Sequence, residues 1–407
     1  MLKLLHSPFL RPLRARNFRL LWIGQVIAWT GDSIYQIALL WLILEMTGSK
    51  SLAGYIAAVG YLPALLLGLF LGALVDVGDR RRLMMGADLL RAIVLLYIPL
   101  AFIGNWLTPW QLAAAAFFIS TGAALFNPAR DSSVPQLVDE KNLLAANALI
   151  QTSSYASLLI GPLFAGLVLT IINLTGLFFF NSFAYAISLF TIFLLRIPSR
   201  DNIVSTFKPL KSILEALRYA AREKWSGQLL LLTALDNLFI MGPAIVGIPI
   251  LVREELGLGP GAYAAVQGCH AVGMLIGAFI FGSLGKSLPK GKTLLAAIVF
   301  DGLTFIPIMF ITNLTWLGIL IVFHSLAIPL IMVSRTSLIQ EGIPSGLQGR
   351  FFSLVNLTVI GMMALSSAMT GIACEIIGVR QVYLVIGIAG GLCGLLGFLM
   401  KGIRQRR

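Results

Sequence analysis

The sequence predicts an all-α integral membrane protein with twelve transmembrane helices in two pseudo-symmetric six-helix bundles. Three observations predict this class: an apolar composition, a series of long apolar runs, and a one-sided distribution of basic residues. Of the 407 residues, 58% are hydrophobic and only 12% are charged. A soluble chain carries about 25% charged residues, so the bilayer is the expected environment for most of this chain.

Apolar runs long enough to cross a bilayer recur along the whole chain. They lie at about 18–45, 52–75, 83–104, 109–127, 143–172, 174–195, 227–252, 261–284, 293–311, 315–334, 350–376 and 378–400. Most connections between them are short, except for the polar stretch 196–226. The sequence therefore predicts an N-terminal six-helix bundle (1–195), a cytoplasmic linker (196–226) and a C-terminal six-helix bundle (227–407).

The linker contains an amphipathic pattern. Apolar residues recur in it at helical spacing, with basic residues around them: Leu210, Leu214, Leu217, Ala221 and Trp225. This pattern is typical of a helix that lies on the inner leaflet of a membrane. The alternative is a plain tether between the two bundles.

The distribution of basic residues predicts how the spans are oriented across the membrane. With the N-terminus in the cytoplasm, 26 of the 30 Lys and Arg residues fall in cytoplasmic segments. Lys50, Arg253 and Arg380 fall on the opposite side, and Arg91 lies within a span. The positive-inside rule then predicts a multi-pass protein of the plasma membrane (the inner membrane, in a bacterium) with both termini cytoplasmic. This asymmetry accounts for the net charge of +13 without a nucleic-acid partner.

The two halves resemble each other weakly. Asp32 in span 1 corresponds to Asp236 in span 7. The turn GALVDVGDRRR (72–82) after span 2 corresponds to GSLGKSLPKGK (282–292) after span 8. Repeated six-span halves are typical of membrane transporters.

The turn after span 2 is highly charged for so apolar a chain. We expect Gly72 to allow close helix approach, and Asp76 to end span 2 where Arg80 and Arg81 begin span 3. An acid there can pair with those Arg residues or with a helix N-terminus, and so act as a conformational latch. The alternative is that the Arg residues are only topological anchors, which leaves Asp76 unexplained.

The turn resembles the signature loop of the major facilitator superfamily, in the branch that contains macrolide-efflux proteins and the enterobactin exporter. Gly72, Asp76, Arg80 and Arg81 match the loop, whereas Val77 and Asp79 depart from it. The resemblance extends to three further stretches, RNFRLLWIGQVIAWTGD (16–32), GADLLRA (86–92) and FNPARDSSVPQLV (126–138). It implies two pseudo-symmetric bundles around a central cavity and transport by alternating access.

A second motif favours export. SLLIGPLFAG (157–166) resembles the span-5 antiporter signature of the same superfamily, with matches at Gly161, Pro162 and Gly166. Small residues permit tight helix contact and proline introduces a bend. Ordinary use of Gly and Pro in a membrane helix is the alternative.

Charged groups within the spans are the candidate transport residues, because a carboxylate in hydrocarbon is costly and faces the protein interior or a wet cavity. Asp32 and Asp236 are the candidates for proton coupling and for attraction of cationic substrates; a structural, hydrogen-bonded Asp is the alternative for each. Asp88 and Arg91, three residues apart, predict a local ion pair that supports the latch. Asp301 in span 9 is expected to be peripheral.

Two histidines near mid-depth, His270 and His324, are further candidates for proton coupling, because histidine changes its charge near neutral pH. A buried, hydrogen-bonded structural role is the alternative. The sequence shows no catalytic constellation, nucleotide-binding motif, cofactor site or metal-ligand spacing.

The favoured function is proton-coupled export of hydrophobic or amphiphilic small molecules of drug or siderophore type by a monomer. Its expected partners are the substrate, protons and the lipid bilayer. The alternatives are a lipid or lysolipid flippase on the same scaffold and a non-transporting membrane scaffold.

Overall fold

The computed structural model describes residues 8–197, 209–284 and 288–406. Helices account for 88% of the structure, and the described residues contain no strand. Among these residues, eleven helices are long and apolar enough to cross a membrane, and counting one bent pair as a span raises the number to twelve. The predicted all-helical, multi-pass fold is therefore confirmed.

The helices of the N-terminal half follow a short 3₁₀ helix, Pro8–Arg14. They are α1 (Arg16–Thr47), α2 (Lys50–Val59), α3 (Leu62–Leu66), α4 (Gly68–Val77), α5 (Arg80–Ile103), α6 (Pro109–Leu137), α7 (Glu140–Val168) and α8 (Leu174–Phe193). Four of them begin with a side chain that caps the free backbone N–H groups of the first turn: Ser49 for α2, Asp79 for α5, Thr108 for α6 and Asn173 for α8.

The helices of the C-terminal half include several that are short or interrupted. They are α9 (Pro209–Arg222), α10 (Lys224–Gly242), α11 (Ile248–Ile250), α12 (Pro260–Leu284), α13 (Lys290–Leu303), α14 (Leu314–Ser325), α15 (Ile328–Gly342), α16 (Ser345–Ile377), α17 (Val379–Gly397) and α18 (Lys401–Arg404). Two π-helical turns, Pro243–Gly247 and Leu251–Glu255, flank α11. A 3₁₀ helix, Ile306–Phe310, follows α13.

Four predicted spans are not continuous helices. Span 2 is divided into α2, α3 and α4, with a bend of 46° between Lys50–Leu66 and Gly68–Val77. Spans 7, 9 and 10 change helix type or break next to Pro243, Pro307 and Pro329. Proline lacks the backbone N–H of a regular helix and clashes with the preceding turn. Asp236, Asp301 and His324, which are buried, lie on three of these interrupted spans.

The helices pack into two compact units. The first unit consists of residues 1–42 and 62–207, and the second of residues 43–61 and 208–407. The first unit buries a core that includes Phe18, Phe126 and Ile192. The second buries a core that includes Leu229, Leu295 and Phe351. By sequence, residues 43–61 belong to the predicted N-terminal bundle, but they pack in the second unit.

Within the second unit, α2 lies close against α16. A Cβ atom built on Gly54 would stand 2.8 Å from the Cα of Gly371, so only glycine permits this crossing. The Lys50 ammonium lies 2.6 Å from Glu254, and the Lys50 backbone N–H donates to Glu375 at 2.8 Å. These polar contacts hold the start of α2 in place.

The predicted linker (196–226) falls partly outside the described residues, because 198–208 are not described. Its predicted helix corresponds to α9, which buries Ala216 and Ala220 against the second unit, whereas Trp225 lies at the start of α10. Leu214 and Leu217 are exposed on the other side of α9. These two leucines belong to the apolar face that the sequence assigns to the membrane surface. Residues 285–287 of the C-terminal turn also lie outside the described residues.

Candidate functional site

The first unit buries a chain of hydrogen bonds that starts at Asp32 in the middle of α1. The Tyr185 hydroxyl on α8 donates to Oδ1 of Asp32. The Arg91 guanidinium on α5 donates to the Tyr185 oxygen at 3.0 Å and pairs with Asp88. Three helices therefore meet through one connected polar network. We call Asp32, Tyr185, Arg91 and Asp88 the first polar cluster.

The packing around Arg91 explains how a guanidinium is accommodated inside a membrane protein. The Arg91 guanidinium carbon lies 4.2 Å from the centroid of the Tyr185 ring and 4.9 Å from that of Phe126. Aromatic faces attract cations through their quadrupoles. A Cβ on Gly122 would approach Cγ of Arg91 to 2.7 Å, so glycine leaves the room that this side chain fills. The predicted Asp88–Arg91 ion pair is present.

The members of the first polar cluster differ in their access to the surface. Asp88 and Tyr185 have no exposed surface and Arg91 is 4% exposed, whereas Asp32 is only partly buried. Asp32 is therefore the member of this cluster that keeps the most exposed surface.

A second arginine of the first unit was counted as a loop cation in the sequence, but it lies inside α6. Arg130 donates to Gln25 at 3.3 Å and to Asp131 at 2.9 Å. Its guanidinium carbon lies 5.4 Å from the Trp29 ring centroid. Gln25 and Trp29 precede Asp32 on α1, so Arg130 adds a further polar link between α1 and α6.

The antiporter-type motif lies at a close contact between α7 and α1. A Cβ on Gly161 would stand 2.4 Å from Cβ of Ser33, the neighbour of Asp32. The Ser33 hydroxyl donates to the carbonyl of Ser157 at 3.2 Å. Pro162 is buried within α7, which continues unbroken through Gly166 to Val168. The motif thus determines how closely α7 packs beside Asp32.

The second unit buries a different set of polar groups, which we call the second polar cluster: Asp236, Asp301, Thr304, His324 and Arg335. Asp236 and Asp301 are 6% and 2% exposed, and each has an Oδ1 atom with no hydrogen-bond partner among the described residues. Arg335 on α15 is close enough for its charge to act on Asp236. Arg335 had been assigned to a loop and lies within a helix.

Asp301 is not peripheral, contrary to the sequence-based expectation. Its Oδ1 atom lies 3.5 Å from Nδ1 of His324, which also pairs with the Thr304 hydroxyl at 2.7 Å. The His324 ring stacks on Phe305, with centroids 4.4 Å apart. The expectation was wrong because α13 turns this face into the unit, and an apolar run alone does not specify which face is buried.

His270 lies apart from these contacts. Its Nδ1 atom pairs with the Ser325 hydroxyl at 2.8 Å, and that hydroxyl also donates to the carbonyl of Ile321 at 2.7 Å. The two histidines therefore pair with separate hydroxyl groups, His324 with that of Thr304 and His270 with that of Ser325.

The predicted latch is not formed in this conformation. Asp76 is exposed and makes no ion pair with any described residue. Arg80 donates to the carbonyl of Ser132 at 2.8 Å, and Arg81 donates to that of Ile192 at 3.1 Å. These bonds tie the start of α5 to α6 and α8.

Two details of the turn differ from the sequence-based interpretation. Gly72 does not lie at a tight helix contact, because a Cβ there would meet no atom within 4 Å. Asp79 stands where the superfamily signature has a glycine, and its carboxylate accepts from the Arg82 backbone N–H at 3.0 Å. This departure from the signature therefore has a structural role as the N-cap of α5.

Tyr185, Thr304, Arg130 and Arg335 are the site residues that sequence reasoning missed. For the two arginines the available signal was a cation adjacent to an apolar run. Tyr185 carried no such signal, since one tyrosine in an apolar span is unremarkable until its partner is known.

The fold is that of the major facilitator transporters. It is similar to a variant of the nucleoside transporter NupG, with a TM-score of 0.80 and 11% identity over 94% of this chain and 99% of that chain. It is also similar to a bacterial homologue of the human lysosomal transporter Spinster, with a TM-score of 0.77 and 15% identity over 97% and 99% of the two chains.

Within that superfamily, the chain belongs to the transmembrane secretion effector family, whose model matches residues 7–405. It is 25% identical to macrolide efflux protein A of Streptococcus pyogenes over 376 residues, which cover 91% of this chain and 92% of that protein. It is 23% identical to the multidrug efflux pump Tap of Mycolicibacterium fortuitum over 401 residues, which cover 95% and 96% of the two chains.

Proposed function

We propose that the protein exports hydrophobic or amphiphilic small molecules across the plasma membrane by alternating access, in exchange for protons. Macrolide efflux protein A and the pump Tap support the direction of transport and the substrate class, because both align with this chain over more than nine-tenths of its length. In this proposal both termini lie in the cytoplasm, as the distribution of basic residues predicts, and the transporting unit is a monomer.

The environment of Asp32 is the observation that supports proton coupling. Its carboxyl group lies within a membrane-spanning helix and accepts a hydrogen bond from buried Tyr185, and the residue as a whole is only partly buried. A charge in this position is costly unless a partner compensates it. Arg91 is close enough for its charge to act on Asp32, but the same guanidinium also pairs with Asp88.

This sharing suggests how protonation is coupled to helix movement. With Asp32 ionised, Arg91 balances two carboxylates, and Tyr185 links α1 to α8 through a charge-assisted hydrogen bond. With Asp32 protonated, Arg91 is left to Asp88 alone and the link from α1 to α8 weakens. A cationic amphiphile near Asp32 would replace the proton as the compensating charge. Substrate and proton therefore compete for one group, as exchange requires.

The experiment is a measurement of substrate-induced proton release from the purified, detergent-solubilised protein. We expect the wild type to release protons when a cationic macrolide binds and Asp32→Asn to release none. The Asn variant keeps the volume of the side chain and an oxygen that can accept from Tyr185. It should still bind neutral substrates, because their apolar contacts do not depend on this charge.

Asp236→Asn is the matched control, since it removes a buried carboxylate at the corresponding place in the second unit. Equal proton release from wild type and Asp32→Asn would show that Asp32 is not the coupling group. In vesicles, collapse of the proton gradient should stop uphill export. Continued movement of substrate would instead favour passive lipid-like flipping.

A further inference from the structure

A basic cavity of about 610 Å³ lies in the second unit, where α13 begins and the chain ends. Its lining residues are Pro289, Lys292, Phe398, Arg404, Gln405 and Arg406. Three of these six carry a positive charge and none is acidic. Neither Lys292 nor Arg404 forms an ion pair with a residue in the described ranges. Two cations that line the cavity therefore have no ion-pair partner among residues 8–197, 209–284 and 288–406.

The wall that carries these cations is a firmly packed part of the unit. Ile403 is fully buried, and a Cβ on Gly291 would stand 1.9 Å from its carbonyl oxygen. The Gly291 N–H donates to the carbonyl of Arg406 at 3.1 Å. The Arg406 guanidinium carbon lies 3.5 Å from the Trp225 ring centroid. The last residues therefore hold Arg404 in a defined place.

An exposed apolar face leads up to this cavity. Leu392, Leu395 and Leu399 recur on one side of α17 and the turn after it, with 50%, 52% and 75% of their surface exposed. Phe398, which lines the cavity, lies one turn after Leu395. An apolar surface that ends at a group of cations matches the polarity of an anionic phospholipid.

We propose that this cavity binds the phosphate of an anionic phospholipid, whose acyl chains lie along Leu395 and Leu399. Arg404 offers a planar guanidinium and Lys292 a compact ammonium, and both are good phosphate ligands. Basic pockets between transmembrane helices on the cytoplasmic side are typical sites for anionic headgroups. The proposal rests on the cytoplasmic placement of the C-terminus in the proposed function.

The test compares lipid retention by the full-length protein in detergent, measured by native mass spectrometry. We expect the wild type to retain one phosphatidylglycerol in preference to phosphatidylcholine. The double variant Lys292→Gln/Arg404→Gln should bind phosphatidylglycerol about 30-fold more weakly, from the usual contribution of two basic residues. Lys401→Gln is the matched control, because Lys401 is an exposed cation nearby that does not line the cavity.

The possible outcomes test the proposal and distinguish a phospholipid from free inorganic phosphate as the source of the bound phosphate group. Equal retention of the two lipids by the wild type, or unchanged retention by the double variant, would overturn the proposal. Displacement of phosphatidylglycerol by millimolar inorganic phosphate would identify a free-phosphate site and also overturn it. If the double variant unfolds, Lys292→Arg/Arg404→Lys should fold and retain the lipid. Export by the double variant in vesicles of neutral lipid should equal that of the wild type, so loss of lipid binding and loss of transport are distinguishable.

Discussion

The two units bury polar clusters of similar composition, but they bring the charges together differently. Span 3 carries Asp88 and, three residues later, Arg91; the corresponding stretch of span 9 carries Asp301 and Thr304. In the first unit the cation pairs with the acid on its own helix. In the second unit the hydroxyl of Thr304 occupies the place of that cation. The cation there is Arg335 on α15, which is close enough for its charge to act on Asp236.

This difference suggests distinct roles for the two clusters. In the first, Arg91 and Tyr185 connect the carboxyl group of Asp32 to α5 and α8, so a change of charge on α1 acts on two other helices. In the second, Asp301 lies beside His324 with no hydrogen-bonded cation among the described residues. An uncompensated buried charge is costly, so the second cluster should tolerate loss of a carboxylate better than the first.

The largest expected effect is that of Arg91→Met. This variant removes the cation that Asp88 and Asp32 share, and leaves the buried Asp88 and the partly buried Asp32 without compensation. We expect a loss of about 3–5 kcal/mol in the free energy of unfolding, which is typical of breaking a buried pair from one side. Thermal unfolding in detergent measures it. Arg335→Met should cost clearly less, and equal losses would contradict the distinction between the clusters.

The next largest effect is the difference in stability between substitutions of the two corresponding acids, Asp88 and Asp301. Asp88→Asn should destabilise the protein by about 1.5–3 kcal/mol, because Arg91 loses a charge-assisted hydrogen bond. Asp301→Asn should leave the unfolding temperature unchanged or raise it, because it removes a buried charge that lacks a hydrogen-bonded cation. The same unfolding experiment serves for both. A larger loss from Asp301→Asn than from Asp88→Asn would reverse the comparison.

A smaller loss of stability than that of Asp88→Asn is expected for Tyr185→Phe, which removes the hydroxyl between Arg91 and Asp32. We expect a loss of about 1 kcal/mol for the hydrogen bond, together with slower export and an altered pH profile of export in vesicles. Tyr383→Phe is the control in α17, where the hydroxyl donates to the carbonyl of Pro243 at 2.8 Å. If both variants change the pH profile alike, Tyr185 has no particular connection to Asp32.

The sequence was sufficient for the class of protein and the position of most helices. Apolar runs of spanning length, and the 12% of charged residues, leave only a membrane environment for so long a chain. The Asp88–Arg91 pair was predictable because residues three apart share one face of a helix. The contact at Gly161 was also predictable, as small residues at a recurring spacing are typical of close helix packing.

Other parts of the site depended on the tertiary structure. Gly72 and Gly161 are both glycines in a recognisable motif, yet only Gly161 lies against another helix. Asp301 and His324 approach each other near the breaks in spans 9 and 10, and no local pattern predicts that approach. Tyr185 reaches Asp32 across 153 positions of the chain. Hydropathy determines which residues leave water, because the free energy of transfer from water to the bilayer is a property of each segment alone. Which buried polar groups meet is decided by helix packing, because a partner from a distant segment must arrive with the right rotation and depth.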